Sequence, residues 1–273
     1  MNAHQRARAT KPLSAVLRTR GGGAPVRGQD RTPLQDTWPQ AGARIPLAAR
    51  DSGVEVRAGR VHLTARLSLT DSDRAVAVLA SGGRSSLDDR YFARVLHQAG
   101  FGTLVTDLLA ADEVGCPHDV FDVPLLAGRL RGAATWLYGR TGLPYAYVAA
   151  DTAAAAAVEA TAPGLFAIVS RGGRPDLASP AALAAVRVPT LIVVGSLDTR
   201  VLGRTRVAVD WMCCEHRIVL VPGAPHLLTG PPELAAVADL AREWLSARLP
   251  RTVREERPSP VRPPSPGSVL PQA

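Results

Sequence analysis

Aromatic residues are scarce in this chain: four Phe, four Trp and four Tyr in 273 residues. A core must therefore be filled mainly by Ala, Val and Leu. The 46% hydrophobic share is nevertheless that of an ordinary globular protein. Cysteine is scarcer still, at Cys116, Cys213 and Cys214. An odd count with two neighbours excludes a disulfide framework, and no C-x-x-C pair or Cys/His spacing suggests a metal site. Reduced thiols in the cytoplasm are the expectation, with no metal and no cofactor. No apolar run of about 18 residues is free of charge, and no apolar leader core follows the basic N-terminus. Neither a membrane partner nor a secretory leader is expected.

The net charge of +8 is unevenly placed. Residues 1–50 carry nine Lys/Arg and two Asp/Glu, and residues 250–273 carry four Arg and two Glu, whereas 51–249 hold 19 Arg and 20 acids. The excess positive charge thus belongs to the tails, and no nucleic-acid-binding motif accompanies it, so no specific nucleic-acid partner is expected. Residues 1–48, rich in Arg, Gly and Pro without periodicity, read as a disordered basic extension. Residues 250–273, with a Pro at six positions beyond Arg257, read as a disordered tail. One folded domain is left over 49–249.

That domain reads as α/β. Residues 54–69 alternate apolar and polar side chains, as a half-exposed hairpin does. The run Ala75–Ala80 is continuously apolar, as in a strand covered on both faces. Helix 88–99 is expected to stop at Gly100. Strands at 103–106, 145–149, 165–170, 190–194 and 217–221 then alternate with helices at 123–138, 152–160, 202–211 and 233–249. Such repeats imply a mainly parallel sheet, helices on both faces, and ligands at the carboxyl ends of the strands.

Three loops at those strand ends could carry chemistry. Ala149-Ala150-Asp151-Thr152-Ala153 joins a strand to an Ala-rich helix, where a sharp turn can expose Asp151. The ordinary alternative is an aspartate capping the helix. Gly195-Ser196-Leu197-Asp198 places an acid after the next strand but one, where it can orient a histidine or simply cap a helix. Gly223-Ala224-Pro225-His226 places a histidine after the last strand, as a general base or as a surface residue. Arg171 and Arg174 follow another strand end and could clamp a carboxylate or phosphate, or pair with neighbouring acids such as Asp176.

Residues 54–249 resemble the dienelactone hydrolase-like branch of the α/β-hydrolase superfamily. The likeness rests on Arg90-Tyr91, on Asp119 to Leu126, on Ser170 to Leu177, on Pro189-Thr190-Leu191, and on the loops of Asp198 and His226. It implies an α/β-hydrolase fold without a large lid, and a triad of Asp151, Asp198 and His226. It also implies an oxyanion hole from the backbone of Thr152 and the Gly82–Gly83 turn. Relatives of this branch carry Ser or Cys, flanked by glycines, where this chain has Asp151. A carboxylate suits displacement at an alkyl carbon better than attack on an ester, which would give a mixed anhydride. Enzymes that work in that way carry a lid with aromatic residues, and 171–189 contain none.

Three readings follow. The first is a hydrolase acting on an unassigned small molecule, with an anionic substrate as one option through Arg171 and Arg174. The second is a catalytically degenerate hydrolase-fold binding protein. The third is a scaffold or nucleic-acid-associated protein in which the basic tails matter most. The sequence leaves the oligomeric state open.

Overall fold

A computed structural model describes residues 50–250 except 60, 84–86, 111 and 227. The expected extension over 1–48 and the Pro-rich tail beyond residue 250 lie outside the described residues.

Strands β1 (Arg50–Ala58) and β2 (Val61–Leu69) form the expected antiparallel hairpin, turning at Gly59, whose φ of +69° favours glycine. In β2, buried Leu63, Ala65 and Leu67 alternate with exposed His62, Thr64 and Arg66. One face of the hairpin meets the core and the other meets water, which is why its sequence alternates.

The chain then runs through β3 (Ala75–Ser81), α1 (Leu87–Gln98), β4 (Phe101–Asp107), α2 (Pro117–Val120), α3 (Val123–Thr141), β5 (Tyr145–Ala150), α4 (Ala153–Glu159) and β6 (Leu165–Arg171). It ends with α5 (Pro180–Ala185), β7 (Thr190–Gly195), α6 (Thr199–Val209), β8 (His216–Val221) and α7 (Pro231–Arg248). The eight strands lie in the order β1-β2-β4-β3-β5-β6-β7-β8, and every pair from β4 to β8 is parallel. This is the α/β-hydrolase arrangement that the sequence implies.

Each face of the sheet has its own apolar layer. On one side α3, α4 and α6 pack Leu126, Leu130 and the alanines of α4 against Val78, Ile168 and Ile192. On the other, α1 and α7 pack Phe92, Leu96 and Trp244 against Ala77, Val148 and Val193. Parallel strands covered on both faces need continuous apolar runs, and all six residues of β7 are buried.

Local signals set the helix ends. Asp122 caps α3 by accepting from Leu125 N at 2.9 Å, and Gly142, at φ +63°, ends it. Inside α3, buried Arg129 donates to the Leu108 carbonyl at 2.9 Å and to both carboxylate oxygens of Glu113, tying the loop after β4 to the helix. Three short pieces escape the sequence reading: α2, a 3-10 turn at Pro175–Leu177, and α5. Each is six residues or fewer, too short for a helical period to show. Helix α6 begins at Thr199 rather than 202, because Asp198 caps it.

The register aligns the carboxyl ends: Ala80 pairs with Ala149, Ala149 with Ser170, Arg171 with Val193 and Gly195 with Val221. The loops at 81–83, 151–152, 172–174, 196–198 and 222–226 therefore share one edge of the sheet. No helix among the described residues is long and apolar enough to cross a membrane.

Candidate active site

Asp151 stands between β5 and α4 with φ +49°, one of two non-glycine residues in the left-handed region among the described residues. Aspartate tolerates this conformation better than most side chains, but at a cost. The carboxylate is exposed and has no hydrogen-bond partner among the described residues. It does not cap α4. The capping position is Thr152, and no side chain makes the cap bond. The structure thus removes the ordinary reading of Asp151 and leaves a strained, outward-facing residue on a strand-to-helix elbow.

Close packing holds this turn. Ala149 and Ala153 are fully buried beside it. A Cβ on Gly173 would meet Ala154 Cβ at 2.4 Å, Ser170 Oγ at 2.5 Å and the Asp151 carbonyl at 3.3 Å. That carbonyl accepts from Arg174 N at 2.9 Å. The loop after β6 therefore locks the elbow from behind.

The Gly82–Gly83 turn touches the elbow directly. A Cβ on Gly82 would lie 2.4 Å from Thr152 Oγ1, so a side chain there would have to displace the buried Thr152 hydroxyl. Thr152 is fully buried, and its hydroxyl has no partner among the described residues. Ser81 Oγ lies 2.6 Å from Asp107 Oδ1 and 3.0 Å from the Gly83 carbonyl, within donating reach of either, which fixes the start of the turn.

Asp198 and His226 meet across neighbouring loops. Asp198 Oδ1 accepts from Val201 N at 3.1 Å, and Oδ2 lies 2.6 Å from His226 Nδ1. The second contact is close but not linear, and neither atom makes a well-angled hydrogen bond. Asp198 is thus both a helix cap and a histidine partner, and the two readings of its loop are not exclusive. The carboxylate is mostly buried and the imidazole is about one-third exposed, so the ring reaches solvent. Two glycines bring the loops together: a Cβ on Gly195 would lie 2.2 Å from the Pro225 carbonyl, and one on Gly172 would lie 2.6 Å from the His226 carbonyl. Leu228, at φ +53°, is the second strained residue and belongs to the same histidine loop.

Between these loops lies a cleft of about 250 Å³ lined by Ser81, Gly82, Gly83, Asp88, Asp89, Ala150, Asp151, Arg171, Gly172 and Thr229. Both arginines singled out from the sequence are already paired. Arg174 forms a two-point pair with Asp176, with both contacts at 2.8 Å. That pairing first, with the charges of Asp176, Asp151 and Asp198 behind it, holds its guanidinium more firmly protonated than usual against the cost of burial. Arg171 pairs with buried Asp89 of α1 and stacks over the Phe92 ring, 4.7 Å from its centre. Each arginine that could clamp an anion thus has an internal carboxylate partner, while Arg171 Nε is buried without a hydrogen-bond partner among the described residues. Asp89 was not anticipated as a partner. Its position two residues into a helix gives no sign that the helix N-terminus sits beside the end of β6. The described residues hold no cluster of three His, Cys, Asp or Glu suited to a metal.

The structure is similar to a dienelactone hydrolase from Anabaena variabilis, with a TM-score of 0.70 and 39% identity over 74% of this chain and 99% of that one. The chain belongs to the dienelactone hydrolase family. A dienelactone hydrolase-like promiscuous phosphotriesterase from metagenomic libraries shares the fold at a TM-score of 0.61 and 16% identity, over 74% of this chain and 99% of that one. Two curated relatives, from two strains of Mycobacterium tuberculosis, are 41% identical over 221 residues, 77% of this chain and 48% of theirs. Each bears the name "Putative phosphoribosyl transferase". The chain spans about half the length of these curated relatives. No family model matches it.

Proposed function

We propose that this dienelactone hydrolase family member is a hydrolase of small molecules in which Asp151 is the nucleophile, His226 the base and Asp198 the acid that orients it. The observation that carries this reading is the backbone of Asp151. A left-handed aspartate costs roughly 1 kcal/mol, and such strain concentrates at functional sites. A helix cap does not need it. The contact of 2.6 Å between Asp198 and His226 supports the same reading.

The chemistry follows from the carboxylate. An Asp151 oxygen attacks an electrophilic carbon, a C–O bond forms, and the leaving group departs with its bonding electrons. His226 then takes a proton from water, and the resulting hydroxide attacks the carbonyl carbon of the Asp151 ester. The N–H groups of Thr152 and of the Gly82–Gly83 turn stabilise the oxyanion of that step. Its collapse breaks the bond from the carbonyl carbon to the alkyl oxygen, which takes the remaining proton of the attacking water and leaves as the alcohol, restoring the carboxylate. Protonated His226 returns its proton to solvent or to an alkoxide leaving group. The connection over 172–189 holds only the 3-10 turn and α5, without an aromatic residue, so the leaving group departs toward an open cleft. We place this activity in the cytoplasm, with the three thiols free.

A second reading is a hydrolase-fold binding protein without turnover. Alanines in place of the elbow glycines and an aspartate in place of serine favour it. The phosphoribosyl transferase name belongs to proteins about twice the span matched here, and we assign no such activity to this chain.

The test is an assay of the full chain and of Asp151→Asn on aryl esters, lactones, haloalkanes and epoxides. Turnover of a haloalkane or epoxide that falls at least 1,000-fold in Asp151→Asn establishes the nucleophile. No turnover by either protein, with new esterase activity in Asp151→Ser, replaces this reading with the binding one.

A further inference from the structure

One buried donor in the wall of the cleft is matched by nothing around it. Arg171 lines the same cavity as Asp151, Asp88 and the Gly82–Gly83 turn. Its side chain is more than nine-tenths buried. Part of the guanidinium is engaged: Nη2 donates to Asp89 Oδ1, and the group lies over the Phe92 ring, 4.7 Å from its centre. Its Nε–H has no hydrogen-bond partner among the described residues. Arg174 differs, because its Nε and Nη2 both donate to Asp176, each at 2.8 Å. A buried donor on a cation is costly to leave unmatched. Asp89 and Phe92 fix the Arg171 guanidinium in place without satisfying that donor.

We propose that Arg171 Nε–H receives the leaving group, and that the substrate is a small alkyl compound whose leaving group departs as a stable anion, a halide or a sulfate, rather than an epoxide. The inference rests on the reading of Asp151 as nucleophile and adds the substrate class to it. As an Asp151 oxygen bonds to the substrate carbon, the bond from that carbon to the leaving group breaks, and its electron pair goes with the group. The negative charge passes from the carboxylate, which becomes a neutral ester, to the departing atom. A held donor without an acceptor before this step gains an anionic one during it, so the stabilisation belongs to the transition state. A guanidinium does not give up a proton. It therefore suits an anion that leaves bare, and not the alkoxide of an opened epoxide, which must be protonated. After water cleaves the ester the sum is R–X + H2O → R–OH + X⁻ + H⁺, with the proton leaving through His226. The carboxylates of Asp88 and of the restored Asp151 then repel the product anion from the cleft.

The experiment is steady-state kinetics of the full chain on butyl chloride, bromide, iodide and sulfate and on epoxybutane. The bromide and the sulfate are expected to turn over at least about tenfold faster than the epoxide. Arg171→Lys keeps the charge beside Asp89 and removes Nε–H. It is expected to lower kcat on the bromide at least about tenfold with little change in KM, because the interaction is made in the transition state. The loss is expected to be larger on the chloride than on the iodide, since the poorer leaving group depends more on the donor. A merely structural role of Arg171 would slow all substrates alike. Folding is checked by thermal melting; should Arg171→Lys not melt cooperatively, the neutral pair Arg171→Gln with Asp89→Asn takes its place. Faster turnover of the epoxide, an equal loss across the halides, or a change in KM alone would overturn the proposal. Bromide turnover that is lost in Asp151→Asn but unchanged in Arg171→Lys overturns this proposal and leaves the nucleophile standing. No turnover of any of the five overturns both.

Discussion

The candidate site has two halves that have fared differently. In the half formed by β7, β8 and the loops after them, Asp198 and His226 meet through their side chains at 2.6 Å. In the half formed by β5 and α4, Asp151 takes φ +49° and presents an exposed carboxylate. The difference separates two constraints. The elbow's shape is set by packing of Ala149, Ala153, Gly173 and Gly82, which pays no regard to what the exposed central side chain carries. The acid–histidine pair depends on the side chains themselves. An elbow of this kind can change its central side chain without losing its frame.

The comparison breaks most sharply at Gly195. A side chain there meets the backbone carbonyls of Pro225 and Ala224 at 2.2 and 2.4 Å, atoms that cannot move without the histidine loop. Gly195→Val is expected to cost about 3 kcal/mol or more of stability in a urea titration and to separate His226 from Asp198. An unchanged midpoint would mean that the loops are not clamped as described.

Glu113 offers a control away from the chemistry. Hydrogen bonding from Arg129 is the main cause that holds its carboxyl below the ordinary carboxylate range, against partial burial. A carboxylate depressed in the folded state adds stability that is full above its unfolded-state pKa, near 4.3, and is lost as pH falls through the lower folded-state value. Glu113→Gln is expected to lower the urea midpoint at pH 7 by an amount worth about 1–2 kcal/mol. The gap between the two proteins is expected to narrow on going from pH 5 toward pH 3. A gap of constant size would argue against the charged pair.

The smallest effect sharpens the contrast at the elbow. Asp151→Gly removes the left-handed strain but adds freedom to the unfolded chain, and the two effects nearly cancel, leaving a shift within about 1 kcal/mol. The turnover proposed for Asp151 is expected to be lost all the same. A loss of several kcal/mol would show that the carboxylate supports the fold, contrary to its exposure.

Most of the fold was legible in the sequence because its strongest signals are periodic or punctuated. The alternation of β2, the apolar runs of β3 and β7, and Gly100 at the end of α1 each state a local condition that the structure meets. The short pieces α2 and α5 lack room for a period. The pairing of Arg171 with Asp89 joins residues 82 positions apart and leaves no trace in either neighbourhood.

The sequence by itself determined the order of strands and helices, and placed Asp151, Asp198 and His226 each just past a strand end. That follows because burial on one face or two writes itself into residue spacing. Only the tertiary structure decided that Asp151 is strained and uncapped, that Asp198 reaches His226, and that both arginines are internally paired. Those outcomes depend on which loops the sheet register brings to one edge and how closely glycines let them approach, and no local pattern encodes distances between loops.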